Sequence, residues 1–554
     1  MTFDEFFRQA TGAPPDPSLA ALAREGLPAD VALPTGVDRS GIVLVWLWRR
    51  WYRQAPRRLM FALPRGSVLG PVAGEIVRWL AATGMSERVA VHVVMGGAGE
   101  ADRRWRLDPH RPAIVIGTAG ALVSKALNRG HSLSRAMWPI DFALVTNGAH
   151  WVVDRPHLSP AATATLRRLV GFTRYWQTAE PFSLTCVSAA ADPDGRAGTV
   201  PTPPPDEREV RREDLLAWFD TTDDVDLTAF VGGSDAQVAW ARWTPADASG
   251  RPAPEVRWPE QRWRRTVPFE ALRAYAERVA VWWLDPAEGA WTRVTAASPL
   301  RPGDTVLVAA DPLHPGLAPF DPRAGLDPSD PVLVEPAPDV DPVPVAVAAP
   351  DPARWLSLER HSADVRDQVE ALLAAIDPRL PAGAARAAAV AGHAHDLGKA
   401  HPTWQDALCC LAGDPEPDWV TAGRPWAKSG IDAPLRFRDD VAFRHELGSL
   451  LLLDGPLRGV LDGVDDPDLV RFLVLAHHGN LRMRLPTPEE VETIAVPALL
   501  GQPAGTLTNG VPAQWTQTAT ALLDRYGPFL LAYLETLVRI ADWRASAGLP
   551  LVAQ

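Results

Sequence analysis

A set of seven histidine and aspartate residues in the last third of the chain constrains the fold more than any other feature. The set comprises His361, His395, Asp396, His445, His477, His478 and Asp542. Each member lies in a segment whose apolar residues recur near helical spacing. Imidazoles together with carboxylates form the ligand set of divalent transition-metal sites, and this many ligands favours two ions over one. The pattern predicts a helical domain whose core-facing stripes lie beside a buried metal centre.

The local spacing of these residues supports a shared cavity. His395 and Asp396 adjoin near the end of a predicted helix that Gly398 disturbs, and adjacent helical positions point about a third of a turn apart. The pair 477–478 ends another predicted helix, with Gly479 as a candidate C-cap. A single helical histidine is more often a packed or surface residue than a ligand. The ordered set within one domain is what favours a metal site.

The ligand types indicate the chemistry. Two ions about 4 Å apart can clamp a phosphodiester and activate water, so metal-assisted phosphodiester hydrolysis is the leading hypothesis. Imidazole-rich ligation favours manganese, iron, cobalt or nickel, with magnesium also compatible.

Composition is that of an ordinary soluble protein. The 554 residues predict two to four domains, and 47% are apolar and 22% charged. The chain lacks an apolar run of membrane-spanning length, and its first residues lack the hydrophobic core of a signal peptide. The three cysteines, of which Cys409 and Cys410 are adjacent, are interpreted as buried residues in a reducing cytoplasm. The formal charge of −12 argues weakly against a protein coated in nucleic acid, although a local basic groove is compatible with it.

Three regions differ in pattern. Residues 1–195 alternate strand-like and helix-like segments, which predicts a doubly wound parallel sheet. Its predicted helices span 41–52 and 71–84, and its predicted strands span 58–64, 89–95, 113–118, 142–148 and 182–189. Residues 196–345 predict a small β-rich insert without strand–helix alternation, followed by an extended proline-rich linker. Residues 346–554 are patterned as helices almost throughout.

The strings HDLGKAHPTWQ, RHELGSL, HHG and ADWRAS resemble the HD nuclease domain of the CRISPR-associated helicase–nuclease of type I systems. The resemblance implies an all-α HD domain with a two-metal centre that cuts single-stranded DNA. It implies that all seven residues named above are metal ligands, that Asp396 bridges the two ions and that Lys399 lies near the scissile phosphate.

A second resemblance covers residues 30–195, which look like the first RecA-like helicase lobe of the same family, particularly its type I-G branch. The phosphate loop departs from the family pattern, because Asp38 replaces a glycine and Arg39 replaces the lysine. The acidic motif has Asp154-Arg155 in place of Asp-Glu, and Ala190 replaces a threonine. The insert resembles the segment that follows the second lobe, and that lobe is missing. These departures predict a degenerate lobe that does not hydrolyse ATP.

Three functions follow as hypotheses. The first is a motor-less DNA nuclease whose degenerate lobe docks on a crRNA-guided CRISPR effector complex or binds DNA. The second is an HD phosphohydrolase acting on a nucleotide or cyclic oligonucleotide. The third is a non-catalytic assembly subunit, which the complete ligand set disfavours.

Overall fold

The structure is a computed structural model that divides into two compact units, Met1–Pro342 (unit 1) and Val343–Gln554 (unit 2). It describes residues 1–64, 68–94, 104–130, 135–190, 209–221, 225, 227–232, 235–241, 243, 245–253, 264–277, 279–285, 290–295, 298, 300, 304–309, 320–321, 325–326, 355–413, 417–431, 433, 435, 437, 444–479, 481–485, 493–496, 505–508 and 514–552. The predicted proline-rich linker lies outside these ranges. Within them, no helix is both long and apolar enough to cross a membrane. The division at residue 195 stays a prediction.

Unit 1 begins with an α/β region. Its helices are α1 (Phe3–Thr11), α2 (Pro17–Glu25), α3 (Gly41–Tyr52), α4 (Leu69–Ala82), α5 (Arg104–Leu107), α6 (Ala119–Ala126), α7 (Trp138–Thr146) and α8 (Pro160–Phe172). Its strands are β1 (Asp30–Leu33), β2 (Arg58–Leu63), β3 (Ala90–Val94), β4 (Ala113–Thr118), β5 (Ala149–Asp154) and β6 (Phe182–Ala189). All six strands pair in parallel, in the order β1-β6-β5-β2-β4-β3. The predicted parallel α/β sheet is therefore confirmed.

Burial explains why this sheet forms. Every residue of β2 is buried, as expected for a central parallel strand covered on both faces. Helix α3 buries eight consecutive residues, Gly41 to Trp48, and Trp46 and Ile42 join the same core cluster as Leu59 and Ile114. Helix α3 thus contributes a large part of the core on which the sheet packs.

The prediction of a strand at 142–148 is wrong, because this segment forms most of helix α7 and the turn after it. All nine residues of α7 are buried, so its sequence carries no polar face to reveal a helical period. Pro139 in its first turn is the local signal of a helix start. The strand that follows, β5, and the short edge strand β1 were not predicted.

The second part of unit 1 is β-rich, as predicted. Its elements are the helices α9 (Arg212–Phe219), α10 (Thr228–Val231) and α11 (Phe269–Ala276), and the strands β7 (Asp235–Ala241), β8 (Arg264–Pro268), β9 (Val281–Asp285), β10 (Ala290–Arg293), β11 (Thr305–Ala309), β12 (Phe320–Asp321) and β13 (Gly325–Leu326). A five-stranded sheet has the order β10-β9-β11-β7-β8. The β7–β11 pair is parallel and the others are antiparallel, so the sheet is mixed despite the lack of a strand–helix alternation in sequence.

Unit 2 is helical, as predicted. Its helices are α12 (Leu358–Ile376), α13 (Ala384–Ala394), α14 (Pro402–Cys409), α15 (Asp418–Ala422), α16 (His445–Asp454), α17 (Pro467–Ala476) and α18 (Trp515–Ser546). Two short antiparallel pairs accompany them, β14 (Leu356–Ser357) with β15 (Trp426–Lys428) and β16 (Thr493–Val496) with β17 (Gly505–Thr508). Helix α12 packs on α13 and α18, and α13 packs on α17. Cys409 is buried, but Cys410 is exposed at the end of α14, so its predicted burial is wrong.

Candidate metal centre

The seven predicted ligand residues converge inside unit 2. They form two groups, in each of which the potential ligand atoms lie within 4.8 Å of one another. One group contains His361, His395, Asp396 and Asp542, and the other contains His445, His477 and His478. Six of the seven are buried and His478 is half-buried. Five helices end or pass at this point. They bring together side chains that are up to 181 positions apart in the sequence, as in the His361–Asp542 pair.

Asp396 lies between the two groups and presents one carboxylate oxygen to each. Its Oδ2 is 3.2 Å from His395 Nε2 and 3.5 Å from His361 Nε2. Its Oδ1 is 3.3 Å from His445 Nε2 and 3.9 Å from His477 Nε2. A carboxylate placed in this way can serve two cations at once.

Hydrogen bonds fix the orientation of two imidazoles. His395 Nδ1 donates to the carbonyl oxygen of Gly392 at 2.8 Å, and His477 Nδ1 donates to that of Val474 at 2.6 Å. This arrangement directs the Nε2 atom of each ring into the centre, as ligating histidines require. Both Nε2 atoms, together with Asp396 Oδ1, are buried without a hydrogen-bond partner. Buried polar atoms normally have a hydrogen-bond partner. These three unpaired atoms are therefore suited to bind a metal ion.

The predicted helical setting of the ligands is only partly right. His361 and Asp542 lie inside α12 and α18, and His445 is the first residue of α16. The other members follow helices: His395 and Asp396 come after α13, and the pair 477–478 comes after α17. Helix ends aim adjacent residues inward at different angles, which lets two neighbours share one cavity.

A close backbone contact sets the position of α16 against the turn that carries Asp396. Ser449 Oγ accepts the Gly398 backbone N–H at 2.8 Å and lies 2.8 Å from the His395 carbonyl oxygen. A Cβ atom on Gly398 would lie only 2.1 Å from the His445 carbonyl oxygen. Glycine at 398 thus allows the His445 and His395 segments to approach each other.

Protonation of the centre follows from burial and charge. Burial lowers the pKa of His361 and His445, and burial together with His478 lowers the pKa of His477. Burial, aided by His445, lowers the pKa of His478 to about 2. These four rings are neutral, which is the form that binds metal.

His395 differs from the other four rings. Burial opposes its charge, but Asp396 and Asp542 outweigh burial and raise the pKa of His395 to about 9. Although burial opposes ionisation, His395 and Lys399 hold the pKa of Asp396 well below its usual range. Lys428 and His361 do the same to the pKa of Asp542. Both carboxylates are therefore ionised and available as ligands.

Two lysines flank the carboxylates. The predicted Lys399 is buried, and its Nζ is 2.7 Å from Asp396 Oδ2. Lys428, which we did not predict, lies with its Nζ 3.3 Å from Asp542 Oδ1. The chain has only Lys125, Lys399 and Lys428 among 55 basic residues, so a lysine at 428 was itself a signal.

Unit 1 brings together the loop that precedes α3 and the end of β5. Arg39, before α3, forms an ion pair with Asp154 at the end of β5, with Nε and Oδ1 2.6 Å apart. Asp38 Oδ1 accepts the Ser40 backbone N–H at 2.9 Å. Burial raises the pKa of Asp154, and the Arg39 charge opposes that rise. The ion pair thus joins the loop before α3 directly to the end of β5.

Comparison with known proteins concerns mainly unit 2. Residues 347–548 match the family described as Cas3, HD domain. This match indicates a metal-dependent hydrolase of the HD class in unit 2. A search of curated proteins finds no match. Among solved structures, the crystal structure of the DUF1998 helicase MrfA bound to DNA and AMPPNP aligns with 35% of this chain and 27% of its own, at 15% identity and a TM-score of 0.25. This similarity is too low to assign a fold or a function to this chain.

Proposed function

We propose that the chain is a metal-dependent HD nuclease that cuts single-stranded DNA and acts in CRISPR-type antiviral defence. The observation that carries the proposal is the position of Asp396, with one oxygen toward each group of histidines. Two divalent ions of the manganese, iron, cobalt or nickel type, or magnesium, would polarise a phosphodiester there and lower the pKa of water.

The chain's own residues would perform the remaining tasks. The seven residues of the two groups would hold the ions, with Asp396 shared between them. Lys399 and Lys428 are ammonium groups at the carboxylates of Asp396 and Asp542, where each can also attract a phosphate oxygen. Helices α12, α13, α16, α17 and α18 surround these side chains and keep bulk water away from most of them.

We propose single-stranded DNA as the substrate because the strings HDLGKAHPTWQ, RHELGSL, HHG and ADWRAS resemble the CRISPR-associated HD nuclease, and the match of residues 347–548 to the Cas3 HD domain agrees with that resemblance. For the same reason we propose a crRNA-guided effector complex as the partner. The alternative is an HD phosphohydrolase that acts on nucleotides or cyclic oligonucleotides, and substrate identity separates the two.

The test is cleavage of a labelled single strand by the purified full-length chain, with and without added manganese and ATP. We expect metal-dependent cleavage without ATP. Asp396→Ala should lower the rate by more than about 1,000-fold and reduce the bound metal, because several kcal/mol of transition-state stabilisation depend on the ions. Asp367→Ala, on the outside of α12, is the matched control and should behave as wild type. Turnover of cyclic oligonucleotides with no strand cleavage would favour the phosphohydrolase instead.

We further propose that unit 1 does not hydrolyse ATP and acts in docking. The Arg39–Asp154 ion pair supports this, because it engages the side chains that a nucleotide phosphate and its metal would need. We expect no DNA-stimulated phosphate release from the wild-type chain. Phosphate release above that of an Asp154→Ala variant would contradict the proposal.

A further inference from the structure

A cluster of arginines around one tyrosine lies on the surface of unit 1, where the end of α8 comes near the start of α9. This Arg–Tyr patch consists of Arg167, Arg168, Arg174, Tyr175, Arg211 and Arg212, and it lines a concavity of about 300 Å³. All six side chains are exposed. So many cations at one place stand out in a chain whose formal net charge is −12.

The tyrosine ring is flanked by guanidinium groups while staying open to solvent. Tyr175 is 58% exposed. The Cζ atom of Arg212 lies 4.5 Å from the ring centroid, and that of Arg174 lies 5.8 Å from it. Arg174 Nε also donates to the Gly171 carbonyl oxygen at 2.8 Å, which orients this guanidinium. Cations near the face of an aromatic ring are attracted to it and so hold the ring in place.

The charges of the patch are only partly neutralised. Arg167 pairs with Asp30, and Arg168 pairs with Glu209 at 2.7 Å. Both pairs are solvent-exposed, so they contribute little stability and can exchange for a stronger anion.

Three arginines remain available. Among the described residues, the side chains of Arg174, Arg211 and Arg212 form no ion pair with a carboxylate. Glu213 also lines the concavity, and the Asp214 carboxylate accepts the backbone N–H of Arg211 at 3.0 Å. Within the part of the chain that the structure describes, the patch therefore offers three guanidinium groups that no carboxylate neutralises, beside an exposed ring.

The patch is distinct from the Arg39–Asp154 pair, which also lies in unit 1. Asp154 lies at the carboxyl end of β5, and α8 runs from that edge of the sheet back toward the start of β6. The patch lies at the far end of α8. It is therefore near the amino ends of the parallel strands, whereas the Arg39–Asp154 pair is at their carboxyl ends.

We propose that the Arg–Tyr patch binds single-stranded nucleic acid. Arg174, Arg211 and Arg212 would contact phosphates through their planar donor forks, and Tyr175 would stack on an unpaired base. An acidic peptide would use the cations but leave the ring without a partner, so the combination favours a nucleic acid strand. The inference does not depend on cleavage in unit 2, because binding is measured without turnover.

The test measures binding by the fluorescence anisotropy of fluorescein-labelled single strands of mixed sequence, with DNA in one arm and RNA in the other. The full-length protein is used, and EDTA is present to prevent metal-dependent cleavage. We expect Arg174→Glu with Arg212→Glu to weaken binding at least 10-fold and to reduce its salt dependence. Tyr175→Ala should weaken binding several-fold, and Tyr175→Phe should not, because the ring is kept.

The matched control is Arg78→Glu with Arg88→Glu, which changes the charge of unit 1 equally at exposed positions outside the patch. Circular dichroism of each variant checks folding. Equal weakening by the patch and control variants would overturn the proposal, since net charge alone would then explain it. Failure of the wild type to bind either strand, or stronger binding of poly-glutamate than of either strand, would overturn it as well.

Discussion

At the scale of single residues, His150 shows how the sheet of unit 1 selects one protonation state. Thr185 Oγ1 donates to the Pro28 carbonyl oxygen at 2.7 Å and lies 3.2 Å from His150 Nε2, so Nε2 must carry a proton and donate. His150 Nδ1 then accepts from Ser183 Oγ at 2.8 Å. The neutral ring satisfies every partner, and a second proton, on Nδ1, would require Ser183 Oγ to accept the hydrogen bond that it otherwise donates.

This arrangement predicts a pH-dependent loss of stability. Burial, with a smaller contribution from Arg49, lowers the pKa of His150 to about 4 from an unfolded value near 6.5. The unfolded chain binds this proton more readily than the folded chain does. The free energy of unfolding is therefore unaffected by His150 above pH 6.5 and decreases as the pH falls toward 4. The loss amounts to roughly 3 kcal/mol.

Hydrogen exchange of the β5 and β6 amides, corrected for its intrinsic pH dependence, measures this effect. His150→Gln should flatten the dependence between pH 6.5 and 4, whereas His157→Gln, on the turn after β5, should not. An unchanged profile in His150→Gln would show that other groups cause the acid sensitivity.

The sequence predicted those members of the candidate centre that belong to rare residue types. Histidine and the His-Asp pair pointed to the seven candidate ligands that the structure brings together, and the local string around Lys399 pointed to that lysine. Lys428 was missed because its β15 segment contains no recognisable motif and its contact with Asp542 spans 114 positions. Ser449 was missed because a serine inside an apolar helix is indistinguishable from many others until its partners are known.

At the scale of elements, amphipathic helices and buried strands bounded by glycine or proline were predicted well, as α3, α4 and β2 illustrate. Helix α7 was mistaken for a strand because it is buried on all sides, and short apolar segments of this kind have no distinguishing period. Pairing partners such as β1 with β6 connect residues far apart in sequence, so local pattern could not supply them.

The contact between α16 and the Leu397–Ala400 turn gives an element-scale prediction. In Gly398→Ala, the added methyl group would overlap the His445 carbonyl oxygen and Ser449 N, so α16 must move away from Asp396. We expect less bound metal, a cleavage rate lower by on the order of 100-fold and a stability loss of about 1–3 kcal/mol. Metal content by atomic emission and a cleavage assay test this.

Gly70→Ala in α4 is the control, because a Cβ there meets nothing within 4 Å. It should bind metal and cleave as the wild type does. Full metal occupancy and activity in Gly398→Ala would mean that the backbone approach at this glycine is not needed for the centre.

At the scale of the whole molecule, the candidate centre lies entirely within unit 2, which has its own helical core. Residues 343–554 should therefore fold alone, bind metal and cleave free single strands at a rate within a few-fold of the full chain. The same fragment should lose recruitment to its effector complex, because we assign docking to unit 1. Pull-down and targeted cleavage compare the fragment with the full-length protein. Equal recruitment of both would place the docking surface in unit 2.

The Arg39–Asp154 ion pair also bears on which substitutions this part of unit 1 can accept. The Asp154 side chain is only 12% exposed, so replacing Arg39 alone would leave a largely buried carboxylate without its partner. A lysine at 39 would keep a charge but lose the planar fork, and a glycine at 38 would loosen the loop without freeing Asp154. A substitution at position 39 is therefore expected to lower the stability of unit 1 unless Asp154 changes with it. The ion pair makes the outcome of a change at one of its two positions depend on the residue at the other.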